Sequence, residues 1–267
     1  MIRRPLALTF VALAAVVAVV LGACQSTPQA SPVSDPKVIL TNTLTSLKDV
    51  KTLAFDGSFT GSAKVQGLGD LDLSTMKLSG QADFPNKKAK ATLDAPSLLG
   101  TKIDAILIDM TAYYKVAGPL AIALHASADT WTKVAIPESS GNPADAATDP
   151  AKAAQELQAQ LDKLPTPPVK QADERCGDQD CYHVTIHVSA ADMKAMDPTS
   201  SINGDVTLDV WSRKGDFRPA KLAVSVATVD MGTFGVSIDI TYDVNVSIEA
   251  PPADQVVEAS GFALPSQ

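Results

Sequence analysis

The pattern that most constrains the fold is a long alternation of apolar and polar residues between Gly235 and Ile248. Successive side chains of a β-strand point to opposite faces, so this alternation predicts one long strand with a dry face and a wet face. The same period occurs in shorter runs at 182–188, 206–210 and 222–226. Long antiparallel strands that are apolar on one side suit a large curved sheet whose concave side is covered by helices. The sequence therefore predicts an α+β fold.

The first half of the chain predicts further strands. An alternating run begins at Leu53, and β-like runs follow at 71–78, 88–93 and 102–110, separated by Gly, Pro and Asn. The last run is unusual because it is apolar on both faces. Its two apolar sets are Ile103, Ala105 and Leu107 on one face, and Ile106, Ile108 and Met110 on the other. Such a strand needs cover on both sides, so the second set is a candidate lining for an apolar cavity.

Three segments carry the signals of helices. Asp35 and Pro36 predict a helix start, because aspartate caps helices and proline is favoured at the first helical position. A second helix is predicted from Pro150 to Leu164, where prolines follow and end it. One or two helical turns are predicted at 190–196. The first two segments have apolar residues along one side, so we expect them to pack on an apolar surface.

The segment from Val116 to Leu124 is nearly all apolar and contains a Gly-Pro break. It fits a buried strand or loop of the core. It also fits a flap over an apolar cavity, or a loop that touches lipid. Leu120, Ile122 and Leu124 are therefore further candidates for binding a ligand.

The N-terminus is typical of a bacterial lipoprotein. A basic start precedes an apolar run that ends in Gly22-Ala23-Cys24, which matches the lipobox pattern. The small residues admit the signal peptidase, and the Cys24 thiol would carry a diacylglyceryl group. The competing interpretation, a membrane span with an incidental cysteine, needs a longer apolar run. We expect a leader at 1–23 and a lipid anchor at Cys24 that holds the protein on the extracytoplasmic face of the cell membrane.

The chain after Cys24 predicts a tether, one domain and a tail. Residues up to 34 are rich in Ser, Pro and Gln, which is typical of a flexible linker. We expect a single domain over 35–260, a tail at 261–267 and a monomer. The formal net charge of −8 becomes more negative when the basic leader is removed. Such an acidic surface argues against binding to nucleic acid, which requires clustered Lys and Arg.

Cys176 and Cys181 are left when Cys24 is assigned to the anchor. Disulfides persist outside the cytoplasm, and four intervening residues that include Gly177 can turn the chain back. We expect a structural disulfide across a hairpin. The alternative is a redox-active pair, but that chemistry usually has two intervening residues.

No constellation of catalytic or metal-binding residues is recognisable in the sequence. The histidines His183 and His187 alternate with apolar residues, so on a strand they lie about 13 Å apart along one face and cannot share a metal ion. Nucleophile elbows, phosphate-binding loops and zinc or EF-hand motifs do not occur. Asp178 and Asp180 offer too few oxygens for calcium. We expect no enzyme activity, no cofactor and no metal.

The order of these elements, together with three stretches, resembles the LppX/LprG-type bacterial lipoproteins, which are similar in fold to periplasmic lipoprotein carriers. The stretches are 47–55, 112–114 with 131–134, and 210–222. The resemblance implies a half-barrel sheet with helices across its open side and an apolar cavity for the acyl chains of a lipid or glycolipid. It implies no catalytic motif, and an envelope transporter could be a partner. The segment between Tyr114 and Trp131 is longer than the family pattern, and the cysteine hairpin is not part of it.

Two hypotheses from different classes follow. The first is a lipid-binding lipoprotein that acts in transport or presentation of lipid in the cell envelope. The second is a cell-surface interaction or structural lipoprotein with a filled core and no lipid cargo. Apolar periodicity shows which face is dry, but a filled core and a cavity give the same pattern.

Overall fold

The computed structural model describes residues 33–65, 69–123, 128–136, 149–196, 203–228 and 232–258. From Ser34 onward these residues belong to a single compact unit. The predicted leader, Cys24 and the predicted tail lie outside the described residues. Most of the described chain is in strands: β1 (Thr52–Val65), β2 (Gly69–Asp72), β3 (Lys77–Asp83), β4 (Lys88–Ala95), β5 (Thr101–Ile108), β6 (Thr111–Ala117), β7 (Trp131–Ala135), β8 (Val169–Lys170), β9 (Glu174–Cys176), β10 (Gln179–Val188), β11 (Gly204–Arg213), β12 (Pro219–Thr228), β13 (Gly232–Tyr242) and β14 (Val256–Glu258).

These strands form one open sheet in the order β14-β7-β6-β5-β4-β3-β1-β13-β12-β11-β10-β8. Two short strands lie off this path: β2 pairs with β1, and β9 pairs with β10. Neighbours are antiparallel except at one edge, where β14 runs parallel to β7. The predicted α+β class with a large sheet is therefore confirmed, and the sheet is mixed rather than wholly antiparallel.

The register of the sheet collects apolar residues on one face, here called the inner face. One row of cross-strand neighbours spans nine strands from β10 to β6 and consists of Val184, Val210, Leu222, Ile238, Gly57, Leu78, Leu93, Ile103 and Val116. The adjacent row points to the opposite, outer face and consists of His183, Trp211, Lys221, Asp239, Asp56, Ser79, Thr92, Asp104 and Lys115. The alternation along each strand thus gives the sheet one apolar row on the inner face and one polar row on the outer face.

Four helices occur in the described chain: α1 (Pro36–Ser46), α2 (Leu120–Ala123), α3 (Pro150–Leu161) and α4 (Ala190–Met196). Asp35 caps α1 as predicted, accepting hydrogen bonds from the backbone N–H groups of Lys37 and Val38 at 2.8 and 3.3 Å. Asp149 caps α3 in the same way, through the N–H of Lys152 at 3.0 Å. Helices α1 and α3 pack on each other, and α1 also packs on β10 and β11. None of these helices is long and apolar enough to span a bilayer.

A strand was predicted from Gly235 to Ile248, and its predicted C-terminal end is wrong. Strand β13 stops at Tyr242, because Asp243 has a left-handed backbone with φ of 57°. That conformation turns the chain out of the sheet. The N–H of Asp243 donates to the carbonyl of Thr52 at 3.0 Å, which fixes the turn.

Residues 243–255, here called the strap, cross the outer face of the sheet to reach β14. The Lys90 Nζ donates to the Ser247 carbonyl at 3.0 Å, and the Lys88 Nζ donates to the Ile248 carbonyl at 3.2 Å. Both lysines project from the outer face of β4. Ile248 is buried there, so the alternation that resembled a strand serves to bury one side of a crossing segment.

Two other predicted strands have different bounds. The run at 71–78 is divided by a 3-10 turn at Leu73–Thr75 between β2 and β3. The run at 102–110 ends at Ile108, so Met110 lies in the turn before β6. The predicted cysteine hairpin is confirmed: Gly177 has a φ of 65° between β9 and β10, and a disulfide joins Cys176 to Cys181 with the Cα atoms 6.0 Å apart.

Candidate functional site

The apolar row of the inner face is buried at its two ends and at Gly57, and half-buried at the five other positions from Leu222 to Ile103. Val184 in β10 has no exposed surface, and Val116 in β6 is 1% exposed. The half-buried members of the same row are Leu222, Ile238, Leu78, Leu93 and Ile103. These strands, β12 to β5, are six neighbours and span about 24 Å at the usual strand spacing. Helix α1 packs on the β10 and β11 end, so the middle of the face keeps accessible apolar surface.

Small side chains form the floor of this middle region. The row next to the one containing Ile238 consists of Ile240, Phe55, Gly80, Ala91, Ala105 and Tyr114. Gly80 is required there, because a Cβ atom would lie 2.3 Å from the Phe55 Cζ. The Phe55 ring therefore occupies the space above Gly80. Between Phe55 and Tyr114 the floor is made by methyl groups, which leave volume that larger side chains would fill.

A buried polar pair fixes α1 to the sheet beside this region. The Thr43 hydroxyl in α1 lies 2.6 Å from the Ser212 hydroxyl in β11, and the two residues are 4% and 0% exposed. The Thr43 hydroxyl also donates to the Ile39 carbonyl at 2.8 Å. Because a hydroxyl has one hydrogen, Ser212 is the donor between the two side chains. The pair fixes which turn of α1 lies against β11.

Tyr242 closes one end of the inner face on β13. Its hydroxyl donates to the Pro219 carbonyl at 2.8 Å, and its ring is buried. Burial raises the pKa of Tyr242 well above the ordinary tyrosine value, although the guanidinium groups of Arg213 and Arg218 beside the ring act in the opposite direction. The ring therefore stays neutral and apolar at physiological pH.

The residues proposed from sequence as cavity lining are not brought together. Ile106 and Ile108 project from the outer face, as the cross-strand neighbours of Lys90 and Lys88, and the strap crosses that part of the sheet. Ile106 and Ile108 are half-buried on this face, beside the lysines that bind the strap. Met110 instead lines a separate cleft of about 430 Å³ beside the start of α3.

The apolar segment after β6 forms the one-turn helix α2. Ile122 projects into solvent with 80% of its surface exposed, whereas Ala121 is buried. The side chains of Leu120 and Leu124 lie outside the described residues. The segment thus displays a large apolar residue at the end of β6 rather than continuing as a buried strand.

A cluster of polar side chains lies on the outer face around His183. Its ring nitrogens face the Glu174 and Asp209 carboxylates at 2.9 and 2.8 Å, and its ring stacks on Trp211 with centroids 4.3 Å apart. The sequence predicted only a solvated histidine here. No group of three His, Cys, Asp or Glu side chains that could hold a metal ion occurs in the described part of the chain.

The half-buried inner-face residues were predicted from sequence to form a dry face, and they were not among the residues predicted to bind a ligand. The available signal was composition: glycine and alanine at inner positions 80, 91 and 105 in strands that otherwise alternate like core strands. Which rows align across strands depends on register, and register is a property of the folded sheet.

Comparison with known proteins gives structural similarity without sequence relatives. No family model matches the chain, and no curated protein matches it. The crystal structure of the lipoprotein LppX from Mycobacterium tuberculosis is similar over 80% of this chain and 98% of LppX, with 13% identity and a TM-score of 0.47. LprF from Mycobacterium bovis is similar over 82% of this chain and 99% of LprF, with 13% identity and a TM-score of 0.46. MucB is similar over 85% of this chain and 63% of MucB, with 10% identity and a TM-score of 0.39.

LppX and LprF are members of the LppX/LprG-type family that the sequence resembles. At these identities the similarity concerns the arrangement of the chain and says nothing about a ligand.

Proposed function

We propose that the protein is an extracytoplasmic lipoprotein that binds the acyl chains of a lipid or glycolipid on the middle of its inner face. The observation that carries the proposal is the row of apolar residues from Leu222 to Ile103 over six strands, in which five members stay half-buried and Gly57 is buried. Soluble monomers rarely leave a broad, contiguous apolar surface open without a partner for it. The side chains of this row carry no charge, so the ligand that suits them is a hydrocarbon chain.

The energetics favour exchange with a bilayer. Burial of an acyl chain stabilises by about 0.8 kcal/mol per CH2, and the bilayer offers the chain the same gain. If the protein face matches the bilayer in this gain, the free energy of the acyl chain differs little between the two. Uptake and release of lipid are then both possible. Filling the alanine and glycine floor with larger residues would remove this contact area.

The anchor proposed at Cys24 determines where such exchange can occur. Two or three acyl chains make a durable anchor, whereas one binds only marginally. A tether of about ten residues reaches at most about 36 Å when fully extended. We therefore infer that the protein takes up or presents lipid close to the membrane that holds it, and that transfer over a longer distance requires a partner.

The test is native mass spectrometry of the unit that begins at Ser34, expressed in a lipid-producing bacterial host. We expect an adduct of lipid mass that disappears on organic extraction. Ile238→Asn places a polar amide in the middle of the inner face and should reduce lipid loading severalfold. The matched control is Ser237→Asn, which introduces the same side chain at the adjacent position on the outer face.

An apo mass that persists after incubation with envelope lipid extract would contradict the proposal and favour the interaction protein with a filled core. The proposal would also be contradicted if the wild-type protein carries no lipid and Ile238→Asn lowers the free energy of unfolding as much as a core substitution does. A filled core predicts a cost of several kcal/mol for a buried, unpartnered amide, whereas an open face predicts a smaller one.

A further inference from the structure

A groove of about 340 Å³ crosses the outer face, on the side of the sheet opposite the proposed lipid site. It runs perpendicular to β1, β3, β4 and β5, and those four strands span about 14 Å. One wall is formed by Asp56, Ser79, Thr92 and Asp104. The other wall is formed by Ala54, Gln81, Lys90 and Ile106, and Trp131 from β7 closes one end. The volume lies within the range of small-molecule sites.

Several polar groups in this groove have no partner in the described part of the chain. Asp56, Ser79 and Gln81 make no hydrogen bond or ion pair there, and neither does the indole N–H of Trp131. Asp56 and Ser79 are cross-strand neighbours, so their side chains lie side by side. Together these groups offer a carboxylate acceptor, a hydroxyl that both donates and accepts, an amide that does both, and one further donor.

The groove is lined by two carboxylates, those of Asp56 and Asp104, and one ammonium group, that of Lys90, and the charge without a partner in the described chain is Asp56. The Asp104 carboxylate accepts a hydrogen bond from Thr92 at 2.7 Å and lies 3.7 Å from the Lys102 ammonium group. The Lys90 ammonium group uses one donor on the Ser247 carbonyl and keeps two. A phosphate or sulfate ligand would face the unpartnered Asp56 carboxylate in a protein whose formal net charge is −8, so anionic ligands are disfavoured.

The backbone under the groove offers nothing to a peptide ligand. The floor of the groove is the backbone of Phe55, Gly80, Ala91 and Ala105, whose side chains belong to the inner face. Their peptide groups belong to the ladders that join β1, β3, β4 and β5. Peptides that add to a sheet need an edge with free N–H and C=O groups. Recognition in this groove therefore depends on side chains, which suits a ligand rich in hydroxyl groups.

Trp131 supplies the remaining element. Its ring lines the groove, and the Lys115 ammonium group lies 5.1 Å from its centroid. The negative face of an aromatic ring attracts the weakly positive C–H groups that one side of a pyranose ring presents.

We propose that this outer groove binds a neutral oligosaccharide, with a pyranose ring against Trp131 and sugar hydroxyls bonded to Asp56, Ser79 and Gln81. The length of the groove suits more than one sugar ring. This site is independent of the proposed lipid site, because the two lie on opposite faces of the sheet. A neutral glycan of the cell envelope is the class of ligand it would take.

The test is saturation-transfer NMR on the full-length protein in micelles of a phosphocholine detergent, with maltotriose, cellotriose and mannotriose as probes. We expect at least one trisaccharide to bind at millimolar concentration. Trp131→Ala should weaken binding about tenfold, which corresponds to about 1.4 kcal/mol, and Gln81→Ala and Asp56→Asn should each weaken it severalfold. Asp56 is exposed and unpartnered in the described chain, so Asp56→Asn remains informative if Trp131→Ala fails to fold.

The matched control is Asp239→Asn. Asp239 is the cross-strand neighbour of Asp56 and is also exposed, but it lies outside the groove. This variant should bind as the wild type does, and so should Ile238→Asn on the inner face. Absence of binding by all three probes would overturn the proposal, as would equal affinity of the wild type and Asp56→Asn. Loss of sugar binding in Ile238→Asn would place the sugar on the inner face and would also overturn it.

Discussion

The buried hydroxyl pair between α1 and β11 allows a quantitative test of how the helix is held on the sheet. In Thr43→Val the Ser212 hydroxyl loses its acceptor in a place that water does not reach. Leaving a buried donor unsatisfied costs about 1–3 kcal/mol, so we expect a loss of about 2 kcal/mol in the free energy of unfolding.

In Ser212→Ala the Thr43 hydroxyl still donates to the Ile39 carbonyl. Only one net hydrogen bond is lost, and the expected cost is about 1 kcal/mol. The double variant contains neither hydroxyl, so no buried donor is left unsatisfied. We expect it to lose about 1 kcal/mol, which is about 2 kcal/mol less than the sum of the single losses.

Urea unfolding followed by circular dichroism measures all four free energies, and equal m-values would show that the unfolding reaction is unchanged. Thr241→Val is the control, because it makes the same exchange of hydroxyl for methyl at an exposed site on β13. It should change stability by less than about 0.5 kcal/mol. Costs that add within about 0.5 kcal/mol would refute the donor assignment and the burial argument together.

Three further outcomes are expected. Replacing Cys176 and Cys181 together by alanine should lower the free energy of unfolding by about 2 kcal/mol, the loop-closure value for a separation of five residues. Reduction of the disulfide in the wild type should lower it by the same amount. An unchanged urea midpoint would contradict this stabilising role of the disulfide. Burial raises the pKa of Tyr242, so the unfolded chain releases this proton first as the pH rises through about 10, and the free energy of unfolding should fall above that pH. Tyr242→Phe should make this decline smaller, as measured by urea unfolding at about pH 9 and about pH 11. Gly80→Ala should cost about 1–3 kcal/mol by forcing a Cβ atom into an aromatic ring, whereas Gly215→Ala, where nothing lies within 4 Å, should be neutral in thermal unfolding; equal effects would contradict the packing argument.

Local chemistry made several elements predictable from the sequence. The start of α1 followed from Asp35 and Pro36, since a capping carboxylate and a fixed proline φ act within one turn. The disulfide followed from the spacing of Cys176 and Cys181 and from the predicted extracytoplasmic location. In each case the determining groups are close together in the chain.

Other assignments failed where distant residues decide the outcome. The alternation beyond Tyr242 looked like more strand, but Asp243 turns the chain, and the strap that follows is bonded to Lys88 and Lys90 on the outer face of β4. The assignment of Ile106 and Ile108 to a ligand-binding cavity stays a prediction. No local signal distinguishes a partner strand from a crossing segment.

The sequence by itself determined that the chain forms strands with one dry face, where its first helix begins and which cysteines pair, because periodicity, capping and short loops act over a few residues. Only the tertiary structure decided that nine strands align one apolar row, that five residues of that row stay half-buried, and that Asp56, Ser79 and Trp131 share a groove. The physical reason is register. Hydrogen-bonded pairing between distant segments sets which residues become neighbours, and a shift of one residue would move every side chain to the other face.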